Sequence, residues 1–231
     1  MNEQIVILDF GSQYTQVIAR RVRECNVYSQ ILRYDTPAVE IARLKPSGII
    51  LSGGPSSVYA KNAPLPDKNV FGLGVPILGI CFGVQLLAQF LGGKVEKGQK
   101  REYGKGTLTV KDTSCALFSK LPKSLQVWNS HGDKLTKIPE GFKPVAVTEN
   151  SEFAAIENRG KKFFGLQFHP EVVHTPRGKE IISNFVHQIC DCGKSWTMAN
   201  YVEQAVAEIR AQVGKEKVMR DAGQSTVAHR D

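Results

Sequence analysis

Cysteine is scarce in this sequence and follows no regular spacing. Five cysteines occur among 231 residues, and only Cys190 and Cys192 lie near each other. One intervening residue is too few for the usual zinc-binding pair, and the sequence has no second pair. The first residues, MNEQIVILDF, lack the basic and apolar segments of a secretory signal. We therefore expect no metal site, and a reducing cytoplasm as the compartment.

Long unbroken apolar runs and aromatic-bearing basic stripes are also missing. The uncharged segment 70–93 is long enough to cross a bilayer, but glycines, a proline and two glutamines interrupt it. The formal net charge of +8 is distributed over short clusters that also contain acidic residues. A nucleic-acid binder would carry aromatic residues along a basic stripe. These absences argue against a membrane protein and against a nucleic-acid partner.

Short β-branched runs alternate with amphipathic segments in the first half, a pattern that predicts a parallel sheet covered by helices. The predicted strands are 5–9, 28–32, 48–51 and 76–80, and the predicted helices are 13–24 and 84–91. After Gly93, period-two alternation predicts strands at 107–110, 145–148, 153–156 and 163–168, followed by a helix to about residue 189. The sequence thus predicts an α/β domain over residues 1–193, with an open, mostly parallel sheet and helices on both faces.

A separate segment begins near Trp196. Thr197 is a plausible N-cap, and the apolar residues from Met198 to Val213 follow helical spacing. We expect this helix to lie in a linker, residues 194–218, outside the catalytic fold. Residues 219–231 are polar, have no periodic apolar face, and are expected to be disordered.

A glycine-flanked cysteine follows the predicted strand 76–80. In the stretch LGICFGVQ, Cys81 lies between Gly79 and Gly83, where a strand passes into a helix. This pattern is typical of a nucleophile elbow, in which a sharp turn exposes the side chain above the sheet. The N-terminus of the following helix favours a thiolate over a thiol. A buried core cysteine is the alternative, and the two glycines favour the nucleophile.

A histidine and a glutamate follow another apolar strand, in the stretch GLQFHPE. Pro170 separates His169 from Glu171 and biases His169 toward an extended backbone. A cysteine nucleophile needs an imidazole to hold the thiolate and protonate the leaving group, and the imidazole needs an acceptor on its other nitrogen. Both residues are expected at the same end of the sheet as Cys81, so they can fill these roles. Alone the motif is weak, because a histidine at a strand end is more often structural.

A glycine-rich loop, LSGGPSS, follows the predicted strand 48–51. Such loops present N–H groups to anions, so one interpretation is a phosphate-binding loop. The other is an oxyanion hole, in which the N–H groups of Gly54 and Phe82 stabilise an oxygen that becomes negative during attack on a carbonyl. The loop has neither the lysine of a P-loop nor the aspartate of an SGGxDS pyrophosphatase loop. Next to a cysteine elbow, this composition favours the oxyanion hole.

The motifs LSGGPSSVY, GICFGVQ, WNSHGD and FHPEV occur in this order and resemble those of the amidotransferase domain of the GMP synthase family, a class I glutamine amidotransferase. The resemblance extends from Ile5 to about Val218, and WNSHGD separates this family from its relatives better than the elbow does. It implies the flavodoxin-like three-layer fold of that class. It also implies a catalytic triad of Cys81, His169 and Glu171.

Further site residues follow from the resemblance alone. It implies an oxyanion hole at Gly54 and Phe82. It also implies that L-glutamine is bound by Gln85, by the backbone around Asn129, Ser130 and His131, and by Asp133 near the substrate amine.

The resemblance also implies a partner domain. In that family, a linker like residues 209–218 leads into an ATP pyrophosphatase (synthetase) domain, where xanthosine monophosphate (XMP) is adenylylated. Residues 219–231 contain no SGGxDS loop. We therefore expect no cofactor in this chain, with ATP and Mg²⁺ bound by a separate synthetase domain that uses the ammonia to convert XMP to GMP.

Three alternatives remain open. The same glutaminase could serve an anthranilate, carbamoyl-phosphate or CTP synthetase, although WNSHGD and the terminal helix argue against this. A γ-glutamyl hydrolase shares the fold class. A non-catalytic regulatory module is the third, and the presence of all three triad residues argues against it.

Overall fold

The computed structural model describes residues 3–213, apart from the side chains of residues 99–101, 201, 204, 205, 208 and 212. The strands are β1 (Gln4–Asp9), β2 (Tyr28–Arg33), β3 (Gly48–Leu51), β4 (Ile77–Ile80), β5 (Lys94–Val110), β6 (Ser124–Lys137), β7 (Lys143–Val147), β8 (Ala155–Asn158) and β9 (Phe163–Leu166). The helices are α1 (Thr15–Arg23), α2 (Ala38–Arg43), α3 (Phe82–Phe90), α4 (Gly178–Asn184) and α5 (Met198–Val213). Short 3₁₀ segments occur at Lys68–Gly72 and Ala116–Phe118, and a π-helical turn at Phe185–Ile189.

The strands form one mixed sheet in the order β2-β1-β3-β4-β9-β8-β7-β5-β6. In this sheet β2, β1, β3, β4 and β9 are parallel to one another. The remaining strands, β8, β7, β5 and β6, each pair antiparallel with the strand before them in the sheet order. Because β3, β4 and β9 are parallel neighbours, the segments after Leu51, Ile80 and Leu166 leave the same end of the sheet. The glycine-rich loop, the cysteine and the histidine–glutamate pair follow these three strands directly.

Apolar side chains cover both faces of the parallel part. Ile5 and Ile7 of β1 belong to one core with residues of α1 and α4, whereas Val6 and Leu8 belong to a second core with residues of α2 and α3. Successive strand residues point to opposite faces, which explains this division. Burial of both faces also explains why these strands are continuous apolar runs in the sequence. The predicted α/β fold with helices on both faces is confirmed, and its second half is antiparallel.

The predicted bounds agree with the structure mainly in the parallel half. Helix α1 is shorter than the predicted 13–24, and α3 begins directly after Cys81 rather than at residue 84. The single helix predicted to reach residue 189 consists of α4 followed by the π-helical turn.

A long hairpin formed by β5 and β6 is the largest difference from the prediction. The alternation pattern predicts only 107–110 of β5 and nothing of β6, which contains the WNSHGD motif. Glycines and lysines within these strands weaken the strand signal. The pairing of the two strands is interrupted by a register shift between Lys97 and Glu102, a bulge of the kind often found beside active sites.

Residues 196–213 form a second unit, separate from residues 3–195. Its helix α5 begins at Met198, and Thr197 is its N-cap, because the Asn200 N–H donates to Thr197 Oγ1 at 3.1 Å. Met198, Val202, Val206 and Ile209 are exposed. The tail 219–231, for which we expect disorder, lies outside the described residues. No helix within residues 3–213 combines the length and the apolar composition that crossing a membrane requires.

Candidate active site

Cys81 occupies a sharp turn between β4 and α3. Its backbone has φ 52° and ψ −104°, so the chain reverses direction within one residue. A Cβ atom at Gly79 would lie 2.6 Å from the carbonyl group of Gly83, and a Cβ atom at Gly83 would collide with the carbonyl oxygen of Leu51. Both flanking glycines are therefore needed for the close approach of strand, turn and helix. This geometry supports the predicted elbow.

The sulfur of Cys81 faces β6, the strand that contains the WNSHGD motif. Cys81 Sγ lies 3.8 Å from the carbonyl oxygen of Ser130, and the residue is only 5% exposed. The Cys81 N–H donates to the carbonyl of Leu166 at 2.7 Å, which ties the elbow to β9. Cys81 is thus fixed between β9 and β6, two strands that also position the other predicted site residues.

His169 and Glu171 form a buried pair beside the elbow. His169 Nδ1 lies 2.7 Å from Glu171 Oε1, and both side chains are shielded from solvent. Burial opposes a charge on the ring, but hydrogen bonds with Cys81 and Glu171 outweigh it and raise the pKa of His169 to about 11. These two contacts therefore favour the protonated form of the ring.

The backbone of His169 is fixed on both sides. Its N–H donates to the carbonyl of Trp128 at 2.9 Å, and its carbonyl accepts from Thr175 Oγ1 at 2.6 Å. The ring of Tyr14 packs edge-on against the imidazole, with 5.2 Å between the ring centroids. These contacts leave the ring little freedom to rotate away from Cys81.

Gly53 has a steric role that the sequence analysis does not assign. A Cβ atom here would lie 3.2 Å from His169 Cε1 and 3.8 Å from Cys81 Cβ. The contact with Cys81 would be an ordinary van der Waals contact, but the histidine ring would have to give by a few tenths of an ångström. In the sequence, Gly53 is recognisable only as the first glycine of the SGGP stretch. The motif alone does not show that its role differs from that of Gly54.

Two backbone N–H groups are available at the predicted oxyanion hole. Phe82 is the first residue of α3, so its N–H has no acceptor within the helix. The Gly54 N–H likewise has no acceptor within the described part of the chain. A Cβ atom at Gly54 would lie 3.3 Å from Phe82 Cδ1 and 2.8 Å from the Phe10 carbonyl oxygen, which places the two N–H groups on adjacent segments.

Most of the predicted site residues line one cavity of about 810 Å³. They are Cys81, His169, Gly54, Phe82, Gln85, Ser130, His131 and Asp133. Glu171 is fully buried behind His169. Asn129 is not among the lining residues, because its side chain lies toward Gly106 and lines a second depression. Within residues 3–213, no group of three or more histidine, cysteine or acidic side chains is arranged to hold a metal ion.

Asp133 is held at the cavity by two hydroxyl groups. Ser57 Oγ donates to Asp133 Oδ2, and Tyr59 donates its hydroxyl hydrogen to Asp133 Oδ1 at 2.7 Å. The hydrogen bond to Asp133 raises the pKa of Tyr59. Gln85 Nε2 donates to the Asp133 carbonyl at 3.2 Å. Ser57 and Tyr59 lie in the quoted motif LSGGPSSVY, but nothing in that motif indicates that they contact Asp133.

Curated proteins with similar sequences are GMP synthases. The chain is 52% identical over 215 residues to GMP synthase (glutamine-hydrolyzing) of Aquifex aeolicus and 54% identical over 217 residues to that of Caldanaerobacter subterraneus. These alignments cover 93% and 94% of this chain but only 42% of either relative. The chain therefore spans less than half the length of the curated relatives it matches.

Solved structures show the same fold. A candidate GMP synthase subunit from Thermoplasma acidophilum matches with a TM-score of 0.70 and 28% identity, covering 89% of this chain and 98% of that one. A glutamine amidotransferase from Thermotoga maritima matches in fold with a TM-score of 0.66 and 21% identity, covering 83% of this chain and 99% of that one. Residues 6–189 match the model of the family "Glutamine amidotransferase class-I". With Cys81 and His169 lining one cavity and Glu171 buried behind the histidine, the chain belongs to the class-I glutamine amidotransferase family.

Proposed function

We propose that this protein hydrolyses the side-chain amide of L-glutamine to glutamate and ammonia through a thioester on Cys81. The observation that carries the proposal is the position of Cys81 on the elbow, next to a histidine whose second nitrogen contacts a buried glutamate at 2.7 Å. The catalytic triad is Cys81, His169 and Glu171.

The first half of the reaction forms the thioester. The Cys81 thiolate adds to the amide carbon, and the carbonyl electrons move onto oxygen, where the N–H groups of Gly54 and Phe82 stabilise the negative charge. The carbon–nitrogen bond then breaks with its electron pair on nitrogen. His169 donates its proton to that nitrogen, so ammonia leaves and the acyl group remains on sulfur.

The second half releases glutamate. His169, now neutral, takes a proton from water while the water oxygen adds to the thioester carbon. The resulting oxyanion collapses, the carbon–sulfur bond breaks, and sulfur leaves as a thiolate beside the protonated ring. Glu171 keeps the ring oriented and compensates its charge in both halves.

Substrate recognition is assigned to the opposite side of the cavity. The Asp133 carboxylate binds the α-ammonium group of glutamine, because it is an anion fixed at the cavity by Ser57 and Tyr59. Gln85 and the backbone around Asn129, Ser130 and His131 contact the rest of the substrate.

The ammonia serves the amination of XMP to GMP by an ATP pyrophosphatase (synthetase) domain. This assignment is supported by the names of the relatives, which are more than 50% identical to this chain, and by the WNSHGD motif in β6. We assign the binding of ATP and Mg²⁺ to that domain. The SGGP loop of this chain is not assigned to phosphate binding, because it has no lysine and lines the cavity that contains Cys81. The five free cysteines agree with a reducing cytoplasm as the compartment.

The test is covalent labelling of Cys81 by an electrophilic diazoketone analogue of L-glutamine, followed by peptide mass spectrometry. We expect one label, on Cys81, with protection by L-glutamine. Release of glutamate from L-glutamine and from γ-glutamyl peptides is compared in parallel. No labelling of Cys81, or faster cleavage of the peptides than of free glutamine, would show that the proposal is wrong.

A further inference from the structure

A buried glutamate–histidine pair outside the triad lies at the substrate side of the cavity, where His131 is one of the lining residues. Glu102 of β5 and His131 of β6 are direct cross-strand neighbours, with 9% and 7% of their surfaces exposed. Glu102 Oε2 and His131 Nε2 are 3.1 Å apart, in a contact whose N–H is not aligned for a hydrogen bond. Burying a carboxylate is costly unless it has a partner, and His131 is the residue directly opposite it.

The second nitrogen of His131 contacts Asp133. His131 Nδ1 lies 3.1 Å from the carbonyl oxygen of Asp133, which can only accept a hydrogen bond, so Nδ1 is the donor. Because Nε2 faces the Glu102 carboxylate, one ring connects Glu102 to Asp133. Burial disfavours the Glu102 carboxylate, but contacts with His131 and then Thr148 outweigh this and lower the pKa of Glu102.

Asp133 is thus fixed from both ends. Its carbonyl accepts from His131 Nδ1 and from Gln85 Nε2, while its carboxylate accepts from Ser57 and Tyr59. The register shift between Lys97 and Glu102 removes regular pairing next to this point of β6. Asp133 itself pairs with Lys97, and the side-chain contacts add to this pairing where the ladder is interrupted, so they help to hold the backbone of Asp133 in place.

On the other side, Glu102 is itself held. Thr148 Oγ1 lies 3.0 Å and 3.3 Å from its two carboxylate oxygens, and Asn150 Nδ2 lies 3.4 Å from Oε1. A continuous path of polar contacts therefore runs from the β7–β8 loop through Glu102 and His131 to Asp133. The path ends at the cavity, and it does not include the triad.

We infer that the Glu102–His131 pair is a positioning element that fixes Asp133 for the α-ammonium group of the substrate. The inference rests on the proposed function and assigns to these residues control of substrate affinity, with no part in the chemistry at Cys81. Glu102 and His131 act through Asp133, so they are positioning residues. A pair that only stabilised the hairpin would leave substrate affinity unchanged.

The test uses the full chain and two reagents that react with Cys81. The diazoketone analogue of L-glutamine carries an α-ammonium group, and iodoacetamide does not. In Glu102→Gln we expect the analogue concentration for half-maximal labelling rate to rise about tenfold, which corresponds to about 1.4 kcal/mol. The maximal labelling rate and the iodoacetamide rate should stay at their wild-type values.

Glu157→Gln is the matched control. Glu157 is also a buried carboxylate, on β8, and contacts Lys143 and Arg159 at 3.2 and 3.1 Å. Its substitution should leave the half-saturating analogue concentration unchanged. Combining Glu102→Gln with His131→Gln should add little to the effect of Glu102→Gln alone, because the two residues act as one unit.

Each outcome decides a separate question. Wild-type protein that the analogue does not label overturns the proposed function and, with it, this inference. Labelled wild type with an unchanged half-saturating concentration in Glu102→Gln overturns the inference alone. If Glu102→Gln does not fold, Glu102→Asp replaces it, because it keeps the charge and shortens the reach to His131. The same shift is then required.

Discussion

The Nδ1 atom of His169 lies 2.7 Å from Oε1 of Glu171, with a single proline between the two residues in the chain. The short spacing makes the pair a local structure, and the rigid ring of Pro170 restricts the backbone between the two residues. The other Glu171 oxygen, Oε2, is buried and has no hydrogen-bond partner within residues 3–213. Within this part of the chain, His169 is therefore the hydrogen-bond partner of the Glu171 carboxylate. For this reason we expect replacement of Glu171 and replacement of His169 to have different effects.

We predict that His169→Ala is nearly as damaging to glutamine hydrolysis as loss of the thiol, whereas Glu171→Gln is much less so. The amide oxygen of glutamine can still accept from His169 Nδ1, and its NH₂ group would occupy the site of Oε2. Steady-state glutamate release measures both variants under the same conditions. A larger loss in Glu171→Gln than in His169→Ala would show that Glu171 does more than orient the ring.

Cys81→Ser should keep the fold and lower glutamine hydrolysis by about a millionfold, as for other triad nucleophiles. The other four cysteines lie away from the cavity lining, so their replacement by serine should largely preserve activity. Cys25→Ser is a suitable control, because Cys25 is buried in the core at 6% exposure. Circular dichroism and ammonia release report on fold and activity. If Cys81→Ser released ammonia at nearly the wild-type rate, Cys81 would not be the nucleophile.

Gly53→Ala should reduce activity with little effect on folding. The added Cβ would lie 3.2 Å from His169 Cε1, so the ring would have to shift by a few tenths of an ångström. Because a misplacement of about 1 Å can lower a rate by about a hundredfold, we expect this smaller shift to cause a several-fold loss. Gly72→Ala is the control, because no atom lies within 4 Å of a Cβ atom at that position. Equal activity in the two variants would contradict the steric role of Gly53.

The pKa of His169 predicts a pH-dependent contribution to stability. The folded protein raises this pKa from its ordinary value of 6.5 to about 11, so the folded state binds the proton more tightly than the unfolded state does. The stabilisation is fully present below about pH 6.5 and is lost as the pH rises toward about 11. Chemical denaturation of wild type and His169→Gln across this range should show a stability difference that shrinks with increasing pH. A pH-independent difference would mean that the ring is neutral in the folded protein.

Helix α5 is our candidate for a contact with the synthetase domain. Its exposed residues Met198, Val202, Val206 and Ile209 recur at helical spacing.

We predict slow hydrolysis of glutamine by this chain alone. An added family synthetase domain with ATP and XMP should stimulate it about 5- to 150-fold, the usual range of coupling between sites. Val206→Asp should reduce the stimulation. Ala207→Asp should not, because it introduces the same charge outside the apolar row. Full activity without a partner, unchanged by one that binds, would show an autonomous glutaminase.

Local signals in the sequence account for what could be predicted. The elbow is a strand, a turn and a helix within eight residues, and its glycines are dictated by contacts that any such turn makes. His169 and Glu171 are separated by one residue, so their pairing also needs no knowledge of the rest of the fold. Parallel strands then bring the two motifs to the same end of the sheet.

The features that were missed depend on residues far apart in the chain. Strand β6 contains Asn129, Gly132 and Asp133, which have low strand propensity, and it exists because it pairs with β5 along most of its length. Gly106 on that partner leaves the space that Asn129 fills, and no pattern within β6 indicates it. Glu102 meets His131 and Thr148 only after the hairpin and β7 are in place.

The positive φ of Cys81 sets function against stability at this position. A non-glycine residue held in such a backbone conformation costs about 1 to 3 kcal/mol, and glycine would adopt it without that cost. Glycine at position 81 would relieve this strain, but it would remove a buried side chain and the thiol that we propose as the nucleophile. A selection of this chain for thermal stability alone does not protect that thiol, so it must be combined with a screen for activity.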